Sequence, residues 1–479
     1  MKNRRDFLKT CLAGVGTLAS YHAFAQTSEL PWSMLDPMPG PTADPWLEVP
    51  RILARIVPPV FPKKDFDITK FGAVGNNKID NTEAIKKAII ECHKAGGGRV
   101  VVPAGEFITG AIELQSNVDL HIEKAATIRF THDTKKYPLV FTRWEGMELM
   151  NFSPFIYAFE KENIAITGEG TIDGNSDCTH WWPWKGRTNC GWQKGDPEQT
   201  ADRNKLFDMA EKGVPVSERI FGEGHLLRPQ FIQPYRCKNV LIEGVTLLQS
   251  PMWQVHPVLC QNVTVRDLNI NCSILGPNTD GCDPESCKDV LIQNVNFNVG
   301  DDCIAIKAGR NADGRRVNVP SENIVIQGCH MQNGHGGVTV GSEISGGVRN
   351  VFAQDCKMDS PLLDIAIRIK NNAMRGGLLE NIFVRNVEVG QVAMAGLSID
   401  FFYEEGEAGK FTPITRNVDI RNVTLNKAQY AIYLRGFKNA PIENIHVSDC
   451  EFKGVEKPNV IENVKDLVLS NVTVNGKTL

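Results

Sequence analysis

Beyond its first 25 residues the chain has no run of about 20 apolar residues, so no helix long enough to cross a bilayer is expected. It also lacks a charge excess: 52 Lys and Arg stand against 56 Asp and Glu, a formal net charge of −4. No nucleic-acid partner is therefore expected, and any polyanion would have to meet a local cluster of Arg and Lys. Zinc-ligand spacing is missing too. Of 13 cysteines, 12 lie beyond the N-terminal segment, and Cys260, Cys272, Cys303 and Cys329 sit within or beside apolar strand patterns. Most read as small buried core residues. Cys178 and Cys190 share a loop and form a candidate disulfide, which an exported protein permits.

What is present begins with an export signal. Lys2, Arg4 and Arg5 form a charged start, an apolar run follows from Cys11 to Ala19, and Ala23-Phe24-Ala25 supplies a small-x-small cleavage site. Arg4-Arg5-Asp6-Phe7-Leu8-Lys9 resembles a twin-arginine signal, and a Sec signal with two incidental arginines is the other reading. The expected division is a signal over 1–25, a Pro-rich extension over 26–60 and one long domain over 61–479, periplasmic or secreted and acting as a monomer.

That domain repeats. A polar residue, mostly Asn, precedes a short Val/Ile-rich strand at Asn163, Asn239, Asn262, Asp289, Asn323, Asn350, Asn381, Asn417, Asn444 and Asp466. From Asn239 the steps are 23, 27, 34, 27, 31, 36, 27 and 22 residues. Periods of this size mean a stacked solenoid, and an apolar period of two selects strands over helices. An all-β parallel β-helix fits best, with Asn in left-handed turns. Asp80-Asn81-Thr82 can cap a helix to about Ala95, with Ile85, Ala88, Ile89 and Cys92 on one face. Such a helix would cover the open end of the coils. Residues 174–235 interrupt the repeat with Trp181, Trp182, Trp184 and Trp192 and many charges, and long ordered loops are often functional.

Four short words stand in one 93-residue stretch: Asn278-Thr279-Asp280, Gly300-Asp301-Asp302, Gly334-His335-Gly336 and Arg368-Ile369-Lys370. Asp280, Asp301, His335 and Arg368 are 21, 34 and 33 residues apart, about one coil each. With stacked strands about 4.8 Å apart, they should form a column roughly 14 Å long. Neighbouring side chains of a flat strand face opposite ways, so Asp301 and Asp302 need a bend, which Gly300 permits. Crowded carboxylates split their pKa values, so one can act as acid while another acts as base. Arg368 and Lys370 leave one strand face together and suit a carboxylate. Taken singly, the aspartates would read as solvated turns or a calcium site, the basic pair as an exposed strand and His335 as structural.

Together these motifs resemble glycoside hydrolase family 28, the polygalacturonases, over about residues 65–470. The resemblance implies a right-handed parallel β-helix and hydrolysis with inversion. It implies Asp301 as general acid, Asp280 and Asp302 as the pair that activates water, and His335 as support for the acid. It also implies Arg368 and Lys370 as binders of galacturonate carboxylates and Asn278 as a substrate-orienting residue, with no cofactor and no metal. Asp280 and Asp301 come from adjacent coils, which leaves room for the water that inverting carboxylates, about 6.5–9.5 Å apart, hold between them. The intact basic pair favours galacturonate over rhamnogalacturonan. Asp283-Pro284 and Gly341-Ser342-Glu343 resemble the bacterial exo-type branch, and an endo-enzyme is the alternative. The 174–235 insertion and the segment Phe401-Phe402-Tyr403-Glu404-Glu405 are expected to wall off one cleft end, with aromatic rings on the terminal sugar. The pectic polysaccharide or its oligomers would be the partner. More distant alternatives are a pectate-lyase-like β-helix, which needs a strong base and usually calcium, and a non-catalytic glycan-binding β-helix.

Overall fold

Left-handed asparagines set the corners of this fold. The computed structural model describes residues 44–479; the expected signal over 1–25 and residues 26–43 of the extension lie outside the described residues. Residues 44–48 hold a 3-10 turn, Pro45–Leu47, capped by the Asp44 side chain. A helix, Glu48–Arg55, follows, and from Asp65 the chain winds as a right-handed parallel β-helix whose strands stack in three series.

The first series runs from Asp65–Asp67 through Gly98–Val102, Val118–Ile122, Glu162–Gly168, Lys238–Glu243, Gln261–Arg266, Lys288–Gln293 and Ser321–Gln327. A second series, from Asn76–Asp80 to His330–Met331, follows it around a bend. In later coils the two merge into single strands such as Val348–Met358, Leu378–Gln391 and Ile414–Lys427. The third series includes Ile156–Phe159, Ile232–Tyr235, Ile304–Ile306, Gly334–Val340, Leu363–Lys370 and Ala395–Asp400.

Period-two sequence produces this directly, because alternate side chains point inward. Val240, Val263, Val290, Ile324, Val351, Ile382, Val418 and Ile445 pair in register on consecutive coils and are all buried. Each coil buries its apolar face only against its neighbours.

The polar residue before each strand takes the left-handed conformation, as at Asn239 (φ 56°), Asn350 (φ 56°) and Asn417 (φ 55°). Asn tolerates that backbone, and its amide both donates and accepts. A ladder results: Asn350 Nδ2 donates to Asn323 Oδ1 at 3.1 Å, Asn381 to Asn350 at 3.1 Å and Asn417 to Asn381 at 3.1 Å. Asp289 breaks it, since a carboxylate has no N–H to pass on. Asn262 Oδ1 is left buried without a partner among the described residues, and Arg55 instead reaches Asp289 Oδ1 at 2.9 Å.

The capping helix spans Thr82–Lys94 and buries Ala84, Ile85, Ala88, Ile89 and Cys92. Asp80 is its side-chain cap, accepting from Thr82 N at 2.9 Å, while Asn81 turns inward to Val74 and Ile108 backbone. The helix ends at Gly96 and Gly97, where a Cβ on Gly97 would lie 2.5 Å from Asn117 O.

Two excursions break the repeat. One, absent from the sequence expectations, is an antiparallel hairpin, Leu139–Trp144 with Met147–Phe152. Its two turn residues, Glu145 and Gly146, both have positive φ (41° and 81°), as a type I′ turn requires. The other lies between strands Thr171–Asp173 and Ile232–Tyr235. It carries the Cys178–Cys190 disulfide and a helix, Thr200–Glu211. Leu206 and Ala210 of that helix pack with Trp144, Met147, Leu149, Phe221 and Trp253 in a core separate from the coils. The remaining cysteines beyond the signal are buried thiols.

Candidate active site

Backbone register assembles the site. Cys282 bridges Ile304, and Ile304 pairs with Val338. The residues two places earlier, Asp280, Asp302 and Gly336, therefore sit on three consecutive coils. Gly281 N donates to Asp302 O at 2.9 Å and Cys303 N to Gly336 O at 2.7 Å. Asp301 and His335 lie one residue back, joined by His335 N donating to Asp301 O at 3.1 Å. The chain bends before strand Ile304–Ile306, and Gly300 is required there: a Cβ would fall 2.2 Å from Gly276 O. The bend turns both aspartates to one side. Asp280, Asp301 and Asp302 each bring a carboxylate oxygen within 4.8 Å of the others.

The expected four-residue column is not what forms. Arg368 pairs with Thr339, three residues along the strand from Ile365, which faces Gly336. Its guanidinium reaches back instead, donating to His335 O at 3.2 Å and lying 3.4 Å from Asp302 Oδ1. Lys370 is buried, and its Nζ donates to Asp302 Oδ2 at 2.7 Å. The basic pair thus holds an aspartate of the cluster itself. The Tyr403 ring lies over both, 5.5 Å from Arg368 and 5.1 Å from Lys370.

The three aspartates have different surroundings. Asp301 Oδ1 faces His335 Nδ1 at 2.9 Å, and Asn278 Nδ2 stands 3.5 Å from Oδ2. Burial would raise the Asp301 pKa, but the hydrogen bond and charge of His335 hold it well below the usual carboxylate range. The same bond, with Asp301's charge, raises His335 to about 9. Asp280 is only 3% exposed, and its Oδ1 has no hydrogen-bond partner among the described residues. Burial first, and then the charge of Asp301, push Asp280 up to about 8, against the pull of Lys307.

Lys307 was not singled out by its sequence, yet it sits at the centre of the acids. Its Nζ lies 3.6 Å from Asp280, 3.6 Å from Asp283 and 3.2 Å from Glu343, with the Trp253 ring centroid at 4.2 Å. Burial would depress the lysine, but Asp283, Glu343 and Asp280 hold it well above its usual value. Three clustered carboxylates could also grip a cation. Here Lys307 and Lys370 already bring two positive charges to them, which is the chemistry of a protein-made counter-ion set.

The two segments expected at one cleft end share a residue. Arg310, fully buried, contacts Glu343 at 3.1 Å, Glu404 at 3.1 Å, Glu405 at 3.5 Å and Glu145 at 3.6 Å. Arg203 of helix Thr200–Glu211 reaches the same Glu145 at 2.7 Å, and Phe207 lies between the two guanidiniums, 4.3 and 4.5 Å away. Arg375 holds Glu404 at 2.7 Å and Glu405 at 3.3 Å. The insertion also enters through Arg228, whose Nη2 donates to Asn278 Oδ1 at 2.9 Å and whose Nε donates to Gln199 Oε1 at 3.1 Å. The tryptophans do less than expected. Trp181 and Trp182 are buried, the first against Tyr137 and Phe155, so neither offers a sugar platform.

Comparison with known proteins agrees with this geometry. The family model described as "Glycosyl hydrolases family 28" matches residues 223–474. The crystal structure of a hyperthermoactive exopolygalacturonase from Thermotoga maritima superposes with a TM-score of 0.87 at 44% identity, covering 90% of this chain and 96% of that one. A probable polygalacturonase of Vitis vinifera is 27% identical over 80% of this chain and 73% of its own length. An exo-poly-alpha-D-galacturonosidase of Dickeya chrysanthemi is 25% identical over 86% of this chain and 71% of its own.

Proposed function

The chain belongs to glycosyl hydrolases family 28, and on that premise we propose that it hydrolyses the α-1,4-galacturonosyl bonds of pectin or polygalacturonate from the non-reducing end, with inversion. The observation that carries this is the cluster of Asp280, Asp301 and Asp302 flanked by Arg368 and Lys370.

Burial and mutual repulsion keep a proton within the cluster near neutral pH, and such a proton belongs to the group rather than to one residue. In the free protein burial favours holding it on the Asp280 side of the cluster, away from Asp301, which His335 keeps ionised. Transfer to Asp301 equips Asp301 to protonate the leaving glycosidic oxygen. The His335 imidazolium beside it then stabilises the carboxylate left behind, which makes Asp301 a stronger acid. Asp280, now ionised, and Asp302, fixed by Lys370, take the proton of the attacking water. Arg368, half-buried beside Tyr403, is placed to meet a substrate carboxylate. Asn278 links Asp301 to Arg228 and orients that edge.

Carboxylate oxygens within 4.8 Å are closer than the separation of about 6.5–9.5 Å expected for an inverting pair, so separation does not support the stereochemistry. Family membership does. Proton NMR of the first product tests it: the β-anomer is expected, and the α-anomer overturns it.

Exo action is supported by the closure that Arg310 makes between Glu145, which Arg203 of the insertion helix holds, and Glu404 with Glu405. Sizing early products from polygalacturonate checks it. Mono-galacturonate with little viscosity loss is expected, and mixed oligomers would mean an open cleft and endo action. Hydrolysis is expected to survive chelation, and loss restored by calcium would favour a lyase-like site. Export belongs to the same proposal, since the polymer lies outside the cell. Fractionation that finds the mature enzyme only in the cytoplasm overturns that part.

A further inference from the structure

Cations surround the acid cluster, and Lys307, Arg368 and Lys370 are ion-paired to it. Arg368 and Lys370, on a later coil, share the single carboxylate of Asp302. On the other side the insertion brings Lys185, Arg187 and Arg228 within electrostatic reach of one another. Arg228 is fully buried, yet it donates only to neutral groups: Pro277 O at 2.6 Å, Pro251 O at 2.8 Å, Gln199 and Asn278. Lys185 and Arg187 are half-buried, and among the described residues neither side chain has a hydrogen bond or ion pair. Of the nearby carboxylates, Glu145 is shared by Arg203 at 2.7 Å and Arg310 at 3.6 Å, and Glu198, packed against Gly186, accepts from Thr200 N at 2.7 Å.

These groups form one field. Burial lowers the Lys185 pKa; Glu145 opposes this, and the charges of Arg228, Arg203 and Arg187 lower it further. Arg228 in turn is within electrostatic reach of Arg187, Asp301 and Asp280. A fixed route joins the field to the chemistry. Gln199 N donates to Trp184 O at 2.7 Å, Gln199 Oε1 accepts from Arg228, and Arg228 holds Asn278 beside Asp301. Unpaired, partly desolvated cations are costly, and an anion that enters among them recovers that cost.

We propose that Lys185 and Arg187, backed by Arg228, form the subsite for the carboxylate of the non-reducing terminal galacturonate, the sugar that is released. This rests on the galacturonan-hydrolase reading and deepens it. The sugar beyond the scissile bond meets Arg368, and the terminal sugar meets the insertion, so a uronic acid is selected on both sides of Asp301. A substrate whose terminal carboxyl is esterified loses the charged pairing.

The test uses trigalacturonate with its non-reducing terminal carboxyl free or methyl-esterified. The wild-type enzyme should prefer the free acid by roughly 10-fold or more in kcat/KM, because hydrogen bonds to charged groups are worth that much. The double variant Lys185→Met, Arg187→Gln should lose that preference, mainly through KM, and the charge-keeping variant Lys185→Arg, Arg187→Lys should retain it. Calorimetry with mono-galacturonate and its methyl ester provides a readout independent of turnover. An unchanged free-to-ester ratio in the first variant, in kinetics and calorimetry, overturns the subsite while hydrolysis stands. Wild-type binding selective for the free acid and lost in that variant, without hydrolysis of either trimer, sustains the subsite and overturns the hydrolase reading.

Discussion

Two edges of the same coils carry stacked polar groups, half-buried at one edge and buried at the other, and they are built on opposite terms. At the ladder edge, Asn323, Asn350, Asn381 and Asn417 form a line of neutral amides in which each donates once and accepts once. At the acid edge, Lys307 alone contacts three carboxylates, and Asp302 is held by two cations. Register creates both edges, because each is a column of residues stacked coil upon coil. The difference lies in how far each contact reaches. An amide satisfies its neighbour and nothing further, whereas a buried charge acts on every charge around it. The ladder should therefore yield to mutation in small separate steps, and the acid edge in large coupled ones.

The sharpest way to test that contrast is Asp301→Asn. It keeps the shape of the side chain and removes the acid proton, so kcat should fall by about 10²–10⁴ with KM little changed. Near-normal turnover would break the role assignment. Lys307→Met comes next. Leaving Asp280, Asp283 and Glu343 without their shared cation should cost about 3–5 kcal/mol in denaturant unfolding. The pH profile gives a second readout. Deprotonation of the cluster removes the acid, so wild-type kcat/KM should fall as pH rises through about 8. Lys307 opposes the upward shift of Asp280, so in any Lys307→Met protein that folds this fall should move to higher pH.

Lys370→Ala and Arg368→Ala should separate from each other. Lys370 is buried on Asp302, so its loss should lower kcat, while loss of half-buried Arg368 should raise KM for galacturonate oligomers. Steady-state kinetics that move identically in the two variants would remove the distinction. At the ladder, Asn350→Ala deletes two amide bonds and a left-handed preference. It should cost about 1–2 kcal/mol and leave kinetics untouched. The smallest effect is expected from Asp289→Asn. An amide there can donate to the orphaned Asn262 Oδ1 but loses the charge that faces Arg55, so stability should change by less than about 1 kcal/mol. A large loss in either ladder variant would mean that the two edges are not so different.

The same contrast explains what could be read from the chain in advance. The solenoid was legible because every coil repeats one pattern, a left-handed Asn followed by Val and Ile at alternate positions. The four motifs were legible because the chemistry is spelled in adjacent letters. Lys307 and Arg228 were not. Lys307 stands at the end of an ordinary apolar strand, and Arg228 reaches Asn278 from 50 residues away. Such partnerships depend on where irregular loops deliver a long side chain, which periodicity does not encode. Lys370 shows the same limit: the sequence placed it beside Arg368 on one strand face, but not that it would turn to Asp302, 68 residues earlier. The hairpin of Glu145 and Gly146 escaped notice for another reason. Its strands carry no solenoid pattern: Trp144, Met147 and Leu149 pack with the insertion helix, while Val140 and Phe141 rest on coil residues Tyr157 and Tyr235.

On the exo reading, Arg310, which ties Glu145 on one segment to Glu404 and Glu405 on another, closes one end of the groove. A monomer freed at a closed end has the remaining polymer across its way out. The polymer must let go before the monomer can leave, and it cannot slide forward by one unit in between. Catalysis is then distributive: each turnover begins with a fresh encounter with a chain terminus. At equal mass of galacturonan the enzyme counts termini, not bonds, so longer chains are consumed more slowly, and any partner that shortens them from within speeds it.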